Sequence, residues 1–423
     1  MIYPLKTVPN YSRSKRCPLN AMPQNNFLSP YLIPALFLFG LLVYIVTDSH
    51  YYGEMVMAGG AYKYISATSI LAFSMCILST TAGIYLGCAP SGALKRKFSE
   101  FEPDFFTRLL SITRLIVVGC AVMLVVSHYQ QGDLLEKVFS GDINNFRESF
   151  DENATLTDRL ILTLRHLIYV WGSTLFFSTK KMRLRYLVEI LLVAVIIGLL
   201  TQSRLMVVTL IAVLLVSYAR NNHIKTRFLF AFTLAAFGFL GFVTFVRSYA
   251  FSGELDSESF TFILVEILRY FITPYGYSLA IIDLSGINLE YGMQQILSFF
   301  LISFGKFFGQ FDESINTSFI GSISPYYYPS LNQIGSVGSM VYGFGVAFSQ
   351  VIFLFIGYLL GTFSRRFSKG HPVSVVIYPI LFAIALDLIR FPSIFSGALP
   401  TCLLFTLAYR LYWIARYNSR VSF

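Results

Sequence analysis

Residues 180–247 read KKMRLRYLVEILLVAVIIGLLTQSRLMVVTLIAVLLVSYARNNHIKTRFLFAFTLAAFGFLGFVTFVR. The stretch opens on the basic KKMRLR and runs apolar from Tyr186 to Leu200. It turns at Thr201-Gln202-Ser203-Arg204 and runs apolar again from Leu205 to Tyr218. The basic RNNHIKTR follows, then a third apolar run from Phe228 to Val246, closed by Arg247. Runs of this length suit helices crossing a hydrocarbon core. Short loops rich in Lys and Arg stay on the cytoplasmic side, so KKMRLR and RNNHIKTR lie inside, and Arg204 and Arg247 both lie outside. Two solitary arginines at the outer face of one three-helix block suit an anionic, lipid-linked group at the membrane boundary.

The rest of the chain has the same character. Of 423 residues, 55% are hydrophobic and only 13% charged, with 42 Phe and 27 Tyr, which excludes an ordinary soluble domain. The apolar runs are too long and too continuous for the alternating strands of a membrane barrel. The expectation is an all-α, polytopic membrane protein, one membrane domain over 1–423 with about ten transmembrane helices. The net charge of +10 comes from short loops between spans, so topology accounts for it and no nucleic-acid partner is implied. Cys17, Cys76, Cys88, Cys120 and Cys402 fall in the inner tail or inside apolar runs, leaving no outer disulfide framework. The five histidines are scattered, and no spacing suggests a metal site or a cofactor. The first apolar run, Leu28 to Val46, is too long for the core of a removed signal peptide and reads as a retained helix.

In order, spans are expected at Leu28–Val46, Ile65–Gly87, Leu109–Ser127 and Leu160–Phe177, then the three-helix block, then Val337–Thr362, Val373–Ile389 and Gly397–Ile414. Both termini fall inside. The loop within 127–160 is acidic, as an outer loop should be. The longest outer region, 247–336, holds EILRYFITPYGYSLAIIDL and QQILSFFLISFGKFFGQF, which are apolar yet carry Glu266, Arg269, Asp283 and Lys306. These read as amphipathic or re-entrant helices on or in the outer leaflet. The glycines of GSVGSMVYGFGVAFSQ read as a close helix-packing surface.

Arg204, Arg247, Arg269 and Arg390 all map to the outer face. A guanidinium binds phosphate or pyrophosphate bidentately and keeps its charge; each of these could also simply snorkel to headgroups. Glu266 is the candidate general base, three residues before Arg269 on one helix face, and the same pair could equally be a local ion pair. His128 and His166 are alternative bases. Among the outer aromatics, Tyr270, Tyr275 and Tyr327 are candidates for stacking on sugar rings. No Asp-x-Asp pair stands in an inner loop, so a donor activated as a lipid pyrophosphate fits better than a metal-bound nucleotide sugar.

At LLTQSRLMVVTLIAVLLV, at FVRSYAFSG, and at YYYPSLNQIGSVGSMVYGFGVAFSQVIFLFIGYLLG followed by LDLIRFPSIFSGAL, the chain resembles the O-antigen repeat-unit polymerases of the Wzy type, and more distantly the O-antigen ligases. The resemblance covers about half the chain. It implies a GT-C-like enzyme of the bacterial inner membrane, a metal-independent inverting glycosyltransferase that moves the growing glycan from undecaprenyl pyrophosphate onto a new lipid-linked repeat unit on the periplasmic face. Chain-length regulators of the Wzz type would be partners. Arg204 and Arg247 would hold the donor pyrophosphate with Arg390 close by. Apart from the resemblance, Arg269, Tyr270, Tyr275, Tyr327 and Asn332 are the candidates for binding the substrate. The stretch from Arg247 to Ser336 contains no His, unlike the ligases' loop. The open alternatives are an O-antigen ligase and a flippase or transporter of the lipid-linked oligosaccharide.

Overall fold

The computed structural model describes residues 28–53, 62–89, 103–130, 156–178, 183–201, 204–222, 224, 227, 259–301, 320–327, 335–388 and 397–421. Among these every regular element is helical. In chain order they are α1 (Leu32–Val46), the short α2 (Ser49–Tyr51), α3 (Ala67–Cys88), α4 (Pro103–Gln130), α5 (Leu156–Leu164), α6 (Leu167–Thr174), α7 (Arg183–Leu200) and α8 (Arg204–Ala219). After them come α9 (Ser259–Leu284), α10 (Leu289–Leu301), the single turn α11 (Ile320–Ile323), α12 (Ser336–Ser368), α13 (Pro372–Asp387) and α14 (Ala398–Val421). Four described helices are long and apolar enough to cross a membrane: Ala67–Cys88, Asp104–Ser127, Ser336–Ser368 and Ala398–Arg416. Leu32–Val46, Met206–Ala219 and Pro372–Asp387 are shorter apolar helices. The outside of the bundle is apolar too: Phe39 is 64% exposed and Leu115 76%. Large side chains left out of the core in this way are at home against lipid.

The helices pack in two groups. In the first, α9 and α12 gather α1, α3, α10 and α11; in the second, α6 lies among α4, α7, α8, α13 and α14, with α5 against α4 and α14. Contacts between α12 and α13 join the groups. Helix α13 is the axis of the second group, with every residue from Pro372 to Ala385 buried, as a helix apolar all round requires.

The most extensive pairing, α3 on α12, rests on glycines. Gly83-Ile84-Tyr85-Leu86-Gly87 faces Gly357-Tyr358-Leu359-Leu360-Gly361, two small-xxx-small repeats. A Cβ on Gly357 would strike the Thr80 carbonyl oxygen, and one on Gly361 the Ile84 carbonyl oxygen. On the other helix, a Cβ on Gly83 would strike the Leu354 carbonyl oxygen and one on Gly87 that of Tyr358. The partners advance together along both helices, so α3 and α12 run parallel. The close packing expected of the later glycines is present at Gly338, against Ser278 of α9, and at Gly343, against Gly292 of α10. Gly345 does something else. Its φ of 74° breaks α12 in two, a conformation that a side chain would resist.

Elements assigned to the same side by loop charge meet at the same end of the bundle. At one end Arg365 reaches the Ala89 carbonyl, and the Tyr378 hydroxyl donates to the Leu28 carbonyl at 2.7 Å. Arg220 donates to the Phe367 carbonyl at 3.1 Å there, between the rings of Phe177 and Phe367. Burial brings its pKa down to about 10, so the guanidinium stays charged near neutral pH. At the other end the Tyr62 amide donates to the Pro325 carbonyl and the Ser336 amide to that of Leu388.

One expectation changes and one narrows. The fourth span is not one helix: it is broken at Arg165-His166 between α5 and α6. Of the two readings of α9, amphipathic or re-entrant, its described half fits the second, because residues 272–281 are buried. Tyr275 abuts Gly40 in the middle of α1, and Gly276 would meet the hydroxyls of Tyr52 and Tyr44. The small residues of TPYGYS admit that approach.

Candidate functional site

The break in the fourth span is where charge enters the second group. After α5 ends at Leu164, the Ile168 amide donates to Arg165 O and the Tyr169 amide to His166 O, each at 3.1 Å, so the chain tightens into three-residue turns before α6 begins. Irregular backbone at membrane depth is tolerated where protein buries it, and here α8, α13 and α14 all pack on α6. The His166 ring stacks on Tyr169 with centroids 6.2 Å apart, and the Cys402 thiol of α14 donates to the His166 carbonyl at 3.2 Å. The Tyr169 hydroxyl shares a hydrogen bond with Thr209 of α8 and lies within the electrostatic reach of both Arg165 and Asp387. Helices α6, α8 and α14 thus meet at the break, which carries a cation, an imidazole and a phenol.

Two of the charges at this end oppose their own helix dipoles. Arg204 is the first residue of α8, a cation at the positive end, and Asp387 is the last of α13, an anion at the negative end. Each placement costs a few tenths to about 1 kcal/mol, so neither serves the stability of its helix. Thr209 stands five positions after Arg204, about 7–8 Å along the axis, which sets the arginine's backbone beyond the Tyr169 hydroxyl toward the start of α8.

The expected site residues divide between the two groups. Arg204 begins α8, with its side chain outside what is described, and Arg247, Arg390 and Asn332 lie outside the described residues. Glu266, Arg269 and Tyr270 share a face of α9, in the first group; their side chains too lie outside what is described. Tyr275, 2% exposed, packs on Phe73 with ring centroids 5.6 Å apart, and Tyr327 is buried beside Tyr277. Both rings sit in the core. His128 belongs to α4.

A second polar patch sits at the same end, outside the spans. Lys63 caps α1 by donating to the carbonyls of Ile45, at 2.9 Å, and Thr47, with its ammonium over the Tyr44 ring. Burial pulls its pKa below the usual lysine value, and Asp48 opposes that shift. Asp48 accepts from the amides of His50 and Tyr51, which hold its own pKa below the usual carboxylate range. Tyr64 donates to Asp283 at 3.0 Å. These contacts close helix ends and pin the segment at 62–64 to the end of α9.

Sequence reading missed Asp387 and Glu189. Glu189 of α7 accepts from Arg114 of α4 at 2.6 Å, an ion pair inside two apolar runs. Both carboxylates carried a signal: each is the lone acid of a span. Among the described residues no three His, Cys, Asp or Glu side chains gather as metal ligands would. Comparison with protein families, with curated proteins and with solved structures finds no match.

Proposed function

We propose that this chain is a repeat-unit polymerase of the bacterial inner membrane. It joins lipid-linked oligosaccharides on the periplasmic face, taking the growing glycan from undecaprenyl pyrophosphate. The observation that carries the reading is the break of the fourth span at Arg165-His166, in the helical group that α8, opening on Arg204, also joins. Charge inside a membrane domain is costly and marks function by default. Arginine is the residue suited to a pyrophosphate that leaves without a metal's help. Arg204 and Arg247 hold the donor, Arg390 follows Asp387 by three residues, and chain length is set with a regulator of the Wzz type.

The test is a gel of surface lipopolysaccharide from a strain lacking the chain, beside its parent. Loss of the ladder, leaving core with a single repeat unit, is the expected outcome; an unchanged ladder overturns the reading. On complementation, Arg247→Ala inserts but extends no chains, and Arg247→Lys recovers little, because a point charge does not replace the bidentate fork.

A flippase is the second reading. Two broken helices, at Arg165-His166 and at Gly345, favour it, since discontinuous spans build many transport sites. Core bearing no repeat unit at all, with lipid-linked glycan held on the cytoplasmic side, would select it. The same bare core with glycan on the periplasmic side would select the ligase.

A further inference from the structure

We infer that the groove between α4 and α7 holds an anionic phospholipid, its headgroup phosphate on Arg185 and Arg114 and an acyl chain along Leu184, Val188 and Leu192. The inference does not depend on the polymerase reading, and none of these residues belongs to the break at Arg165-His166.

Helices α4 and α7 pack on each other, and a shallow groove of about 580 Å³ opens beside them, lined by Arg114, Leu184, Arg185, Val188, Glu189 and Leu192. Leu184, Val188 and Leu192 recur every four residues along one face of α7, and all three are exposed. Such a stripe on the outside of a membrane bundle meets lipid chains.

Charge interrupts the stripe. Arg114 Nε donates to Glu189 at 2.6 Å, with the guanidinium carbon 5.1 Å from the centre of the Tyr186 ring, and the two charged side chains stay 38% and 24% exposed. That bond engages Nε, and the terminal amino groups of Arg114 have no hydrogen-bond partner among the described residues. Donors left open on a lipid-facing surface are costly and favour an acceptor from outside. Arg185, one turn before Glu189, is exposed and makes no ion pair among the described residues. Two cations against one carboxylate leave the groove positive, so an anionic headgroup suits it better than a zwitterion.

Depth agrees with charge. Helix α7 begins at Arg183, which puts Arg185 in its first turn, at headgroup level, and Glu189 about 6 Å deeper. The sequence adds Lys180, Lys181 and Arg183 at the same helix start. Basic clusters beside a span, and basic pockets between spans, are where anionic headgroups gather. A lipid rather than a free phosphate is the occupant, because the apolar stripe continues directly from the cations and a free anion would leave it bare.

The test uses the full-length protein in a neutral detergent, titrated with phosphatidylglycerol, with phosphatidylcholine of the same chains, or with inorganic phosphate alone. A ligand of the folded state raises Tm with its concentration, which yields an apparent affinity. Phosphatidylglycerol should raise Tm at concentrations where the other two do not. Arg185→Gln should weaken its affinity about fivefold, the equivalent of about 1 kcal/mol for one basic residue at a membrane surface. Glu189→Gln should tighten it, because the groove loses its one carboxylate. Arg416→Gln, which deletes an exposed cation of α14 outside the groove, should leave it nearly unchanged. An equal response to phosphatidylcholine, or one reproduced by inorganic phosphate, overturns the proposal. So does a loss in Arg185→Gln no larger than that in Arg416→Gln, which would mean a general attraction to net charge, and so does unchanged or looser binding in Glu189→Gln. Should Glu189→Gln not accumulate, Arg185→Glu decides: a preference for phosphatidylglycerol that survives it overturns the proposal.

Discussion

At the residue scale, charge placement separates what a chain reveals in one dimension from what it conceals. Arg204 stands out in the sequence because a cation after a Ser in a short turn between two apolar runs has few structural uses, and it is the first residue of α8. Asp387 and Glu189 do not, since one acid within a span looks like noise until a partner appears. Glu189 has Arg114, 75 positions earlier in the chain, and Asp387 lies within the electrostatic reach of Tyr169, 218 positions earlier. His371, between α12 and α13, gives a prediction of a different kind. Burial, with Arg366 and Arg410 adding to it, lowers its pKa below 6.5. The folded protein then binds this proton less readily than the unfolded chain, so stability rises with pH and is lost as pH falls through about 6.5. Thermal unfolding of purified protein between pH 8 and pH 5.5 should show a falling Tm, and a smaller fall in His371→Gln. Equal slopes would remove His371 from the linkage.

At the element scale, most helix limits follow the apolar runs within a few residues. The spans expected at Ile65–Gly87 and Val373–Ile389 are helices Ala67–Cys88 and Pro372–Asp387. Hydropathy misses interruptions. The 165–166 break keeps an apolar sequence on both sides, and α9 carries enough charge to look interfacial while its second half is held in the core by glycines and tyrosines. The reciprocal glycine repeats of α3 and α12 lie 274 positions apart (357 − 83) and become a pair only on folding. Their energetic role is open to a direct comparison. Gly357→Ala drives a methyl group into the Thr80 carbonyl and should cost about 1–3 kcal/mol. Gly119→Ala in α4, with nothing within 4 Å of the added carbon, should be neutral or stabilise by up to about 1 kcal/mol. Thermal unfolding in one detergent ranks the two, and equal effects would mean that α3 and α12 do not approach so closely.

At the scale of the whole molecule, sidedness carries the functional reading, because the arginines matter only if they face the compartment that holds the lipid-linked glycan. In a cysteine-free background, an impermeant maleimide applied to intact cells should label Tyr62→Cys, an exposed position beside Pro325. Ser368→Cys, exposed near Arg220, should react only after the membrane is opened. The reverse pattern would put Arg204 in the cytoplasm and end the periplasmic mechanism. The sequence by itself determined the solvent of this protein and the helical class. Both follow from transfer free energies, which are local and additive along the chain. The tertiary structure decided which helices touch, where a span breaks, and that α9 enters the core. It also decided that α6 and α13 pack in one group while the helix of Glu266 belongs to the other. Those outcomes depend on close approach at glycines and on pairing charges distant in the chain, and neither has a signature in hydropathy.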